Sequence, residues 1–264
     1  FLEMHPTVAG VLNIDADHLD YYQDIDHIQA AFGKFLSLVP PSGTALGWGE
    51  DVRIQALFES LNCETRTFGM NETNDYYPAR LTYNDTGCPR YDVMYRGEKL
   101  CHVELQVAGS FNVINSLAAF AAAHVVGADP AEAAASLSRF AGVHRRFELT
   151  GVIDGVKMYH DYGHNPTEMR AALSVARQQH PRRLWAVMQP HTFSRVKTLF
   201  NDYLTCTQIA DYTLVTDIFA AREKDPGDIK AEMIVDGMRK NGIDAVHTPS
   251  FDDTEAYLRA HWQA

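Results

Sequence analysis

Met158-Tyr159-His160-Asp161-Tyr162-Gly163-His164-Asn165-Pro166-Thr167-Glu168-Met169 puts an acid, a phenol and an imidazole in one short turn between two regular elements. Val156 to Tyr159 follows the turn pair Asp154-Gly155 and reads as a strand. Asn165-Pro166-Thr167-Glu168 reads as a helix start, with Pro near the first position and an acid in the first turn. Asp161 and His164 are therefore expected at the carboxyl end of a strand, facing a helix N-terminus, which is where open α/β sheets bind ligands. A plainer reading stands beside this one, in which Asp161 caps the turn and His164 packs there.

The layout recurs. Trp185-Ala186-Val187-Met188 is an apolar run that delivers Gln189-Pro190-His191-Thr192-Phe193-Ser194-Arg195 to a second turn, and Tyr212 to Thr216 leads to Asp217 and on to Glu223. In a parallel sheet with right-handed crossovers these three strand ends would share one edge. Residues 144–264 are thus expected to form a Rossmann-like, doubly wound domain of mainly parallel strands, with Asp161, His191 and Asp217 at the carboxyl ends of successive strands.

Residues 1–143 read differently. Val8 to Ile14 is a buried-type strand running into Asp15-Ala16-Asp17-His18-Leu19-Asp20, a strand end loaded with metal-capable groups. Apolar residues at helical spacing follow from Ile25 to Val39, with Lys34 on the solvated face, then a strand near Thr44 to Trp48 and a short helix from Asp51. Glu64 to Val107 is rich in short strands separated by turn clusters. Gly109 to Ala123 begins a small-residue helix that carries Asn112 and Asn115 one turn apart, and amides at a helix start suit the edge of a purine as well as a capping role.

With 264 residues, 46% of them hydrophobic, the chain is long enough for one large or two medium domains with adequate cores. A net charge of −11 and a pI of about 5.5 argue against a nucleic-acid or anionic-membrane partner, which needs a positive contact face. No run is apolar enough to span a bilayer, and Phe1-Leu2-Glu3-Met4-His5-Pro6 has no secretory pattern. Cys63, Cys88, Cys101 and Cys206 lack CxxC spacing and fit reduced thiols in a cytoplasmic protein.

Six segments in order resemble the Mur ligases of peptidoglycan synthesis. They are Asn13-Ile14 with Asp17-His18-Leu19-Asp20; Gly109-x-x-Asn112-x-x-Asn115; Gly142-Val143-x-Arg145-Arg146-Phe147-Glu148; Asp161-Tyr162-Gly163-His164-x-Pro166-Thr167-Glu168; Gln189-Pro190-His191-x-x-Ser194-Arg195; and Thr216-Asp217-Ile218-x-Ala220-Ala221-Arg222-Glu223. Within the family they are most similar to the branch that joins L-alanine to UDP-N-acetylmuramate. The resemblance implies part of a central ATPase domain followed by the Rossmann-like domain. It also implies ATP and Mg²⁺ as cofactors and amide-bond formation through an acyl phosphate. In it His18 resembles the metal ligand, Asn112 and Asn115 the adenine contacts, and Arg146 the cation that meets the γ-phosphate. Asp161 and His164 resemble residues lining the reaction centre, with His164 a candidate base, and Tyr162, His191 and Arg195 resemble the amino-acid side.

No GxxxxGK[ST] occurs, so the family's phosphate loop, its UDP-binding domain and a last strand are expected outside this chain. The chain by itself is then expected to bind ATP weakly and to turn over no substrate. Phe111, His160, Asn165 and Thr192 stand where the family usually has His, Asp, His and Arg, and the last two bear on amino-acid selectivity. Two alternatives stay open on the sequence: a recycling ligase that adds a whole peptide to UDP-N-acetylmuramate, and a non-catalytic nucleotide-binding module. A hydrolase with a metal on His18, His164 and His191 is disfavoured, because these residues fall in two domains and at no ligand spacing.

Overall fold

The structure is a computed structural model and describes residues 1–17 and 19–262. The chain divides into two compact units, Phe1–Ala141 and Gly142–Ala264.

In the first unit β1 (Val8–Val11), β2 (Thr44–Trp48) and β3 (Glu64–Phe68) pair in parallel, linked through α1 (Leu19–Tyr22), α2 (Ile25–Leu36) and α3 (Val52–Phe58). The sheet then changes direction. β4 (Tyr76–Tyr83), β5 (Pro89–Tyr95) and β6 (Glu98–Glu104) form an antiparallel meander, giving the order β1-β2-β3-β4-β5-β6. The switch follows from connection length, since tight turns join only antiparallel neighbours whereas parallel ones need a crossover. Each face has its own core: Ile28, Leu36 and Ile54 with Ala45 on one, and Val113, Leu117 and Phe120 with Leu46, Phe68 and Tyr91 on the other. The second group comes from α4 (Ser110–Val125), which packs beside α5 (Pro130–Arg139). Gly47 lets α3 lie flush on the sheet, because a Cβ there would collide with Ile54 and Phe58.

In the second unit β9 (Trp185–Met188), β10 (Tyr212–Val215) and β11 (Ala245–His247) form a parallel sheet in the order β11-β10-β9. Met188 and Val215 face α7 (Phe193–Thr198), α8 (Phe200–Tyr203) and α9 (Ala231–Lys240), sharing a core with Val196, Tyr203, Ile234 and Met238. Trp185 stacks on Tyr212, and Tyr257 of α10 (Phe251–His261) meets it there, so helices cover both faces as a doubly wound sheet requires. Among the described residues no helix is long and apolar enough to cross a membrane.

One expectation is corrected. Asp161 does follow a strand, β8 (Val156–His160), but β8 is not part of the parallel sheet. It pairs antiparallel with β7 (Glu148–Ile153) as a separate hairpin, so Asp161 does not share a sheet edge with His191 and Asp217. The reason lies in Asp154-Gly155, with φ of 49° and 82°, a two-residue turn with positive φ at both positions. Such a turn returns the chain immediately and leaves no length for a parallel crossover. α6 (Pro166–Gln178) follows the hairpin.

Candidate functional site

In the first unit a concavity of about 630 Å³ opens between α4, α5 and the segment after β6. Ala119, Phe120, Ala123, Ala133 and Leu137 give it apolar walls, and Asn112, Asn115 and Glu132 add polar groups. The small residues of α4 and α5 leave this space open between the helices. Asn112 Nδ2 donates to Ala108 O at 2.8 Å, and Asn115 Nδ2 donates to Asn112 Oδ1 at 3.3 Å. Braced as a pair, the two amides retain an oxygen acceptor on Asn115 and an N–H on each nitrogen, the complement of an amine-bearing heterocycle edge. Phe111, on the same first turn of α4, is 36% exposed.

The second unit gathers six of the sequence candidates around the start of α6 and the turn after β9. Asp161 is engaged by backbone: Oδ2 accepts from Phe147 N at 2.8 Å and Oδ1 from Gly163 N at 2.6 Å. Tyr162 N donates to Arg145 O at 2.7 Å. Together these bonds hold the Arg145–Phe147 turn, whose ends are left-handed at φ 61° and 46°. Asp161 therefore supports the turn that presents Arg146. Arg146 itself is about half exposed and reaches Glu168 Oε1 at 3.4 Å, a long contact that an anion could replace.

Glu168 is the hub that the sequence candidates omit. Its Oε2 accepts from His164 N at 3.0 Å and Asn165 N at 3.4 Å, while Asn165 Oδ1 accepts from Glu168 N, completing a capping box on α6. The signal was present as Asn165-x-x-Glu168, read as a helix start and a family segment but not as a site residue. Tyr203 adds a further tie, donating its hydroxyl proton to His164 O at 2.8 Å.

The two imidazoles are in complementary states. His164 Nδ1 lies 3.0 Å from Tyr162 O, and a carbonyl only accepts, so Nδ1 carries a proton and, in the neutral ring, Nε2 is the nitrogen with the lone pair. Arg195 Nη1 donates both to His191 Nδ1 and to His191 O, each at 2.9 Å. A guanidinium never accepts, so in His191 the lone pair is on Nδ1 and the proton on Nε2. Burial, then the neighbouring His164 and Arg195, pushes His191 below the ordinary histidine pKa and keeps it neutral. The rings of His164 and His191 are 5.3 Å apart, and those of Tyr162 and His164 are 5.5 Å apart. The His164 imidazole thus lies beside an arginine–imidazole pair.

Asp217 sits elsewhere on the edge. His247 Nε2 lies 2.8 Å from Asp217 Oδ1, and its Nδ1 3.7 Å from Glu232 Oε1. Among the described residues this is the one His and carboxylate trio with ligand atoms within 4.8 Å of one another. A carboxylate beside each ring nitrogen already accounts for the cluster. His18, the implied metal ligand, lies outside the described residues. The cysteines are free, and burial pushes Cys101 up to about 11 and Cys206 up to about 12, so neither is a thiolate at neutral pH.

The Mur ligase middle domain matches residues 2–123, and the Mur ligase glutamate ligase domain matches residues 145–264. UDP-N-acetylmuramate–L-alanine ligase of Acetivibrio thermocellus is 38% identical over 260 residues, which is 98% of this chain and 55% of that protein. The ligase of the same name from Clostridium botulinum strain Langeland is 40% identical over 258 residues, 98% of this chain and 56% of that protein. The chain thus spans about half the length of the curated relatives it matches. Among solved structures, UDP-N-acetylmuramate-alanine ligase MurC from Thermotoga maritima superposes with a TM-score of 0.76 at 24% identity, covering 97% of this chain and 54% of that one. MurF from Acinetobacter baumannii gives 0.79 at 19%, covering 97% and 53%. These two likenesses bear on the fold. With its two domains matched in order along nearly the whole length, the chain belongs to the Mur ligase family.

Proposed function

We propose that this chain is the nucleotide- and amino-acid-handling part of an ATP-dependent ligase that joins L-alanine to the carboxylate of UDP-N-acetylmuramate. The observation that carries the reading is the His164–His191–Arg195 cluster, since an amino acid needs a cation for its carboxylate and a base for its ammonium at one place. Similarity to ligases of that name over 98% of the chain supports the choice of substrates.

In this reading the first unit takes ATP. The concavity fits a purine, which is apolar on its faces and polar on its edge, with Asn112 and Asn115 at the edge. ATP would supply the phosphoryl group that activates the muramyl carboxylate, and His18 is the residue that the family resemblance assigns to Mg²⁺. Arg146 exchanges its long contact with Glu168 for phosphoryl oxygens, whose charge a guanidinium stabilises through paired N–H donors. Arg195 binds the alanine carboxylate, and neutral His191 keeps the guanidinium aimed without adding a competing charge. His164 Nε2 accepts the ammonium proton, the freed amine lone pair attacks the acyl-phosphate carbonyl, and the tetrahedral intermediate collapses with cleavage of the C–O bond to release inorganic phosphate and leave the amide. Tyr162, 54% exposed beside His164, forms a wall of the amino-acid pocket.

The test is phosphate release by a ligase containing this chain, with each substrate withheld in turn. Release should require ATP, UDP-N-acetylmuramate and L-alanine together. A tripeptide that serves better than L-alanine would replace this reading with the recycling activity.

A further inference from the structure

Three contacts tie the segment after β10 to the turn after β9. Phe219 N donates to Pro190 O at 2.8 Å, and Phe219 pairs with His191 in an isolated parallel bridge. The Phe219 ring stacks on the His191 imidazole with centroids 5.5 Å apart and planes at 29°. Glu223 then reaches the first turn of α7: its Oε2 accepts from Ser194 N at 3.0 Å and its Oε1 from the Ser194 hydroxyl. Burial would raise the Glu223 pKa, but the hydrogen bonds from Ser194 outweigh it and hold the carboxyl below the ordinary range. An anion therefore sits where α7 has its unpaired N–H groups and the positive end of its dipole.

We infer that Glu223 is a positioning residue that fixes the start of α7 and, through it, the docking of Arg195 on His191. α7 has only six residues, well short of what holds a helix by itself. Its N-cap is weak, with Thr192 Oγ1 accepting from Arg195 N at 3.5 Å. Arg195 lies in this first turn and bonds back to His191 just before it, so a slip of one turn would move the guanidinium off the imidazole. Glu223 holds that turn from 29 residues away. The functional half of the inference rests on Arg195 being the amino-acid carboxylate contact.

Two readouts separate the two halves. Long-range ¹H–¹⁵N spectra of the histidine rings in the 264-residue chain report the His191 tautomer directly. Wild type should show a bare Nδ1 and a protonated Nε2. Glu223→Ala should shift His191 toward the averaged pattern of a mobile imidazole, while Glu223→Gln, which keeps an oxygen for Ser194 N, should retain the wild-type pattern. Ser194→Ala, which removes one arm of the tie from the other side, should move His191 in the same direction by less, and serves if Glu223→Ala does not fold. In the ligase, Glu223→Ala should raise the amino-acid KM about tenfold with kcat changed less than about threefold. An unchanged tautomer in a folded Glu223→Ala variant overturns the inference whatever the kinetics. A mobile imidazole with an unchanged KM supports the positioning role and overturns the reading of Arg195.

Discussion

In the proposed reaction His164, His191 and Arg195 divide one task among three side chains, and their substitutions should fail differently. Arg195→Ala should raise the amino-acid KM by about 10- to 100-fold with little change in kcat, because a bond to a carboxylate that does not react contributes equally to ground and transition states. Steady-state kinetics on a variant with a normal melting profile would check this; an unchanged KM would place the guanidinium elsewhere. His164→Gln should instead lower kcat by about 10²- to 10⁴-fold, the range for losing a general base, with the amino-acid KM nearly retained. His191 adds a pH signature. Burial first, then His164 and Arg195, depresses its folded pKa below the ordinary histidine value. Just below that ordinary value the unfolded chain holds the proton and the folded chain does not. The linked stability is therefore present above about pH 6.5 and is lost as pH falls through the depressed folded value. Urea unfolding at about pH 7.5 and about pH 5.5 should show less loss for His191→Gln than for wild type, and equal losses would refute the linkage.

Helix α6 and strand β5 show how single side chains secure whole elements. Asn165→Ala removes one arm of the capping box and should cost about 1 kcal/mol, read as a shifted urea midpoint at unchanged slope. On β5, Asp92 is 3% exposed and is gripped by Arg80, Lys99 at 3.0 Å and His102 at 2.8 Å. Burial raises its pKa, but bonds from Lys99, His102 and Arg80 win and bring it to about 2. Asp92→Asn should cost about 2 kcal/mol at neutral pH, and wild type should lose that margin only as pH falls below the ordinary carboxylate range and through about 2. The elements themselves were largely legible. Apolar runs marked β9 and β10, and Asn165-Pro166-Thr167-Glu168 marked the start of α6, because strand burial and helix capping are local properties. The β7–β8 hairpin was misplaced although its Asp-Gly turn was seen, because a positive-φ turn at both Asp154 and Gly155 folds β7 straight back onto β8 instead of feeding a parallel crossover. The sequence brought His164, His191 and Arg195 forward because each motif lies within a few residues, and the structure places the three side chains together. The Glu223–Ser194 tie and the His247–Asp217 pair were not, because their partners are 29 and 30 residues apart and only the crossovers bring them together.

At the scale of the molecule, the passage between the two units is the exposed stretch near Gly142, at φ 103°, leading to Arg145 and Arg146. Brief trypsin treatment should cut there first and release two resistant fragments, one per unit; early cleavage within either sheet would contradict the division. The mixture of strand pairings in both units also sets an order in time. Tyr95 meets Glu98 in the β5–β6 register and Ile153 meets Val156 in β7–β8, whereas Val8 must find Thr44 and Trp185 must find Tyr212. Closing a short loop costs little entropy and takes microseconds, while parallel pairing waits for the intervening helices to form. Pulse-labelled hydrogen exchange during refolding should therefore protect the meander and the hairpin before β1–β2 and β9–β10. In that interval the unpaired edges of β9, β10 and β11 are open to strands of other copies, so refolding yield should fall as protein concentration rises.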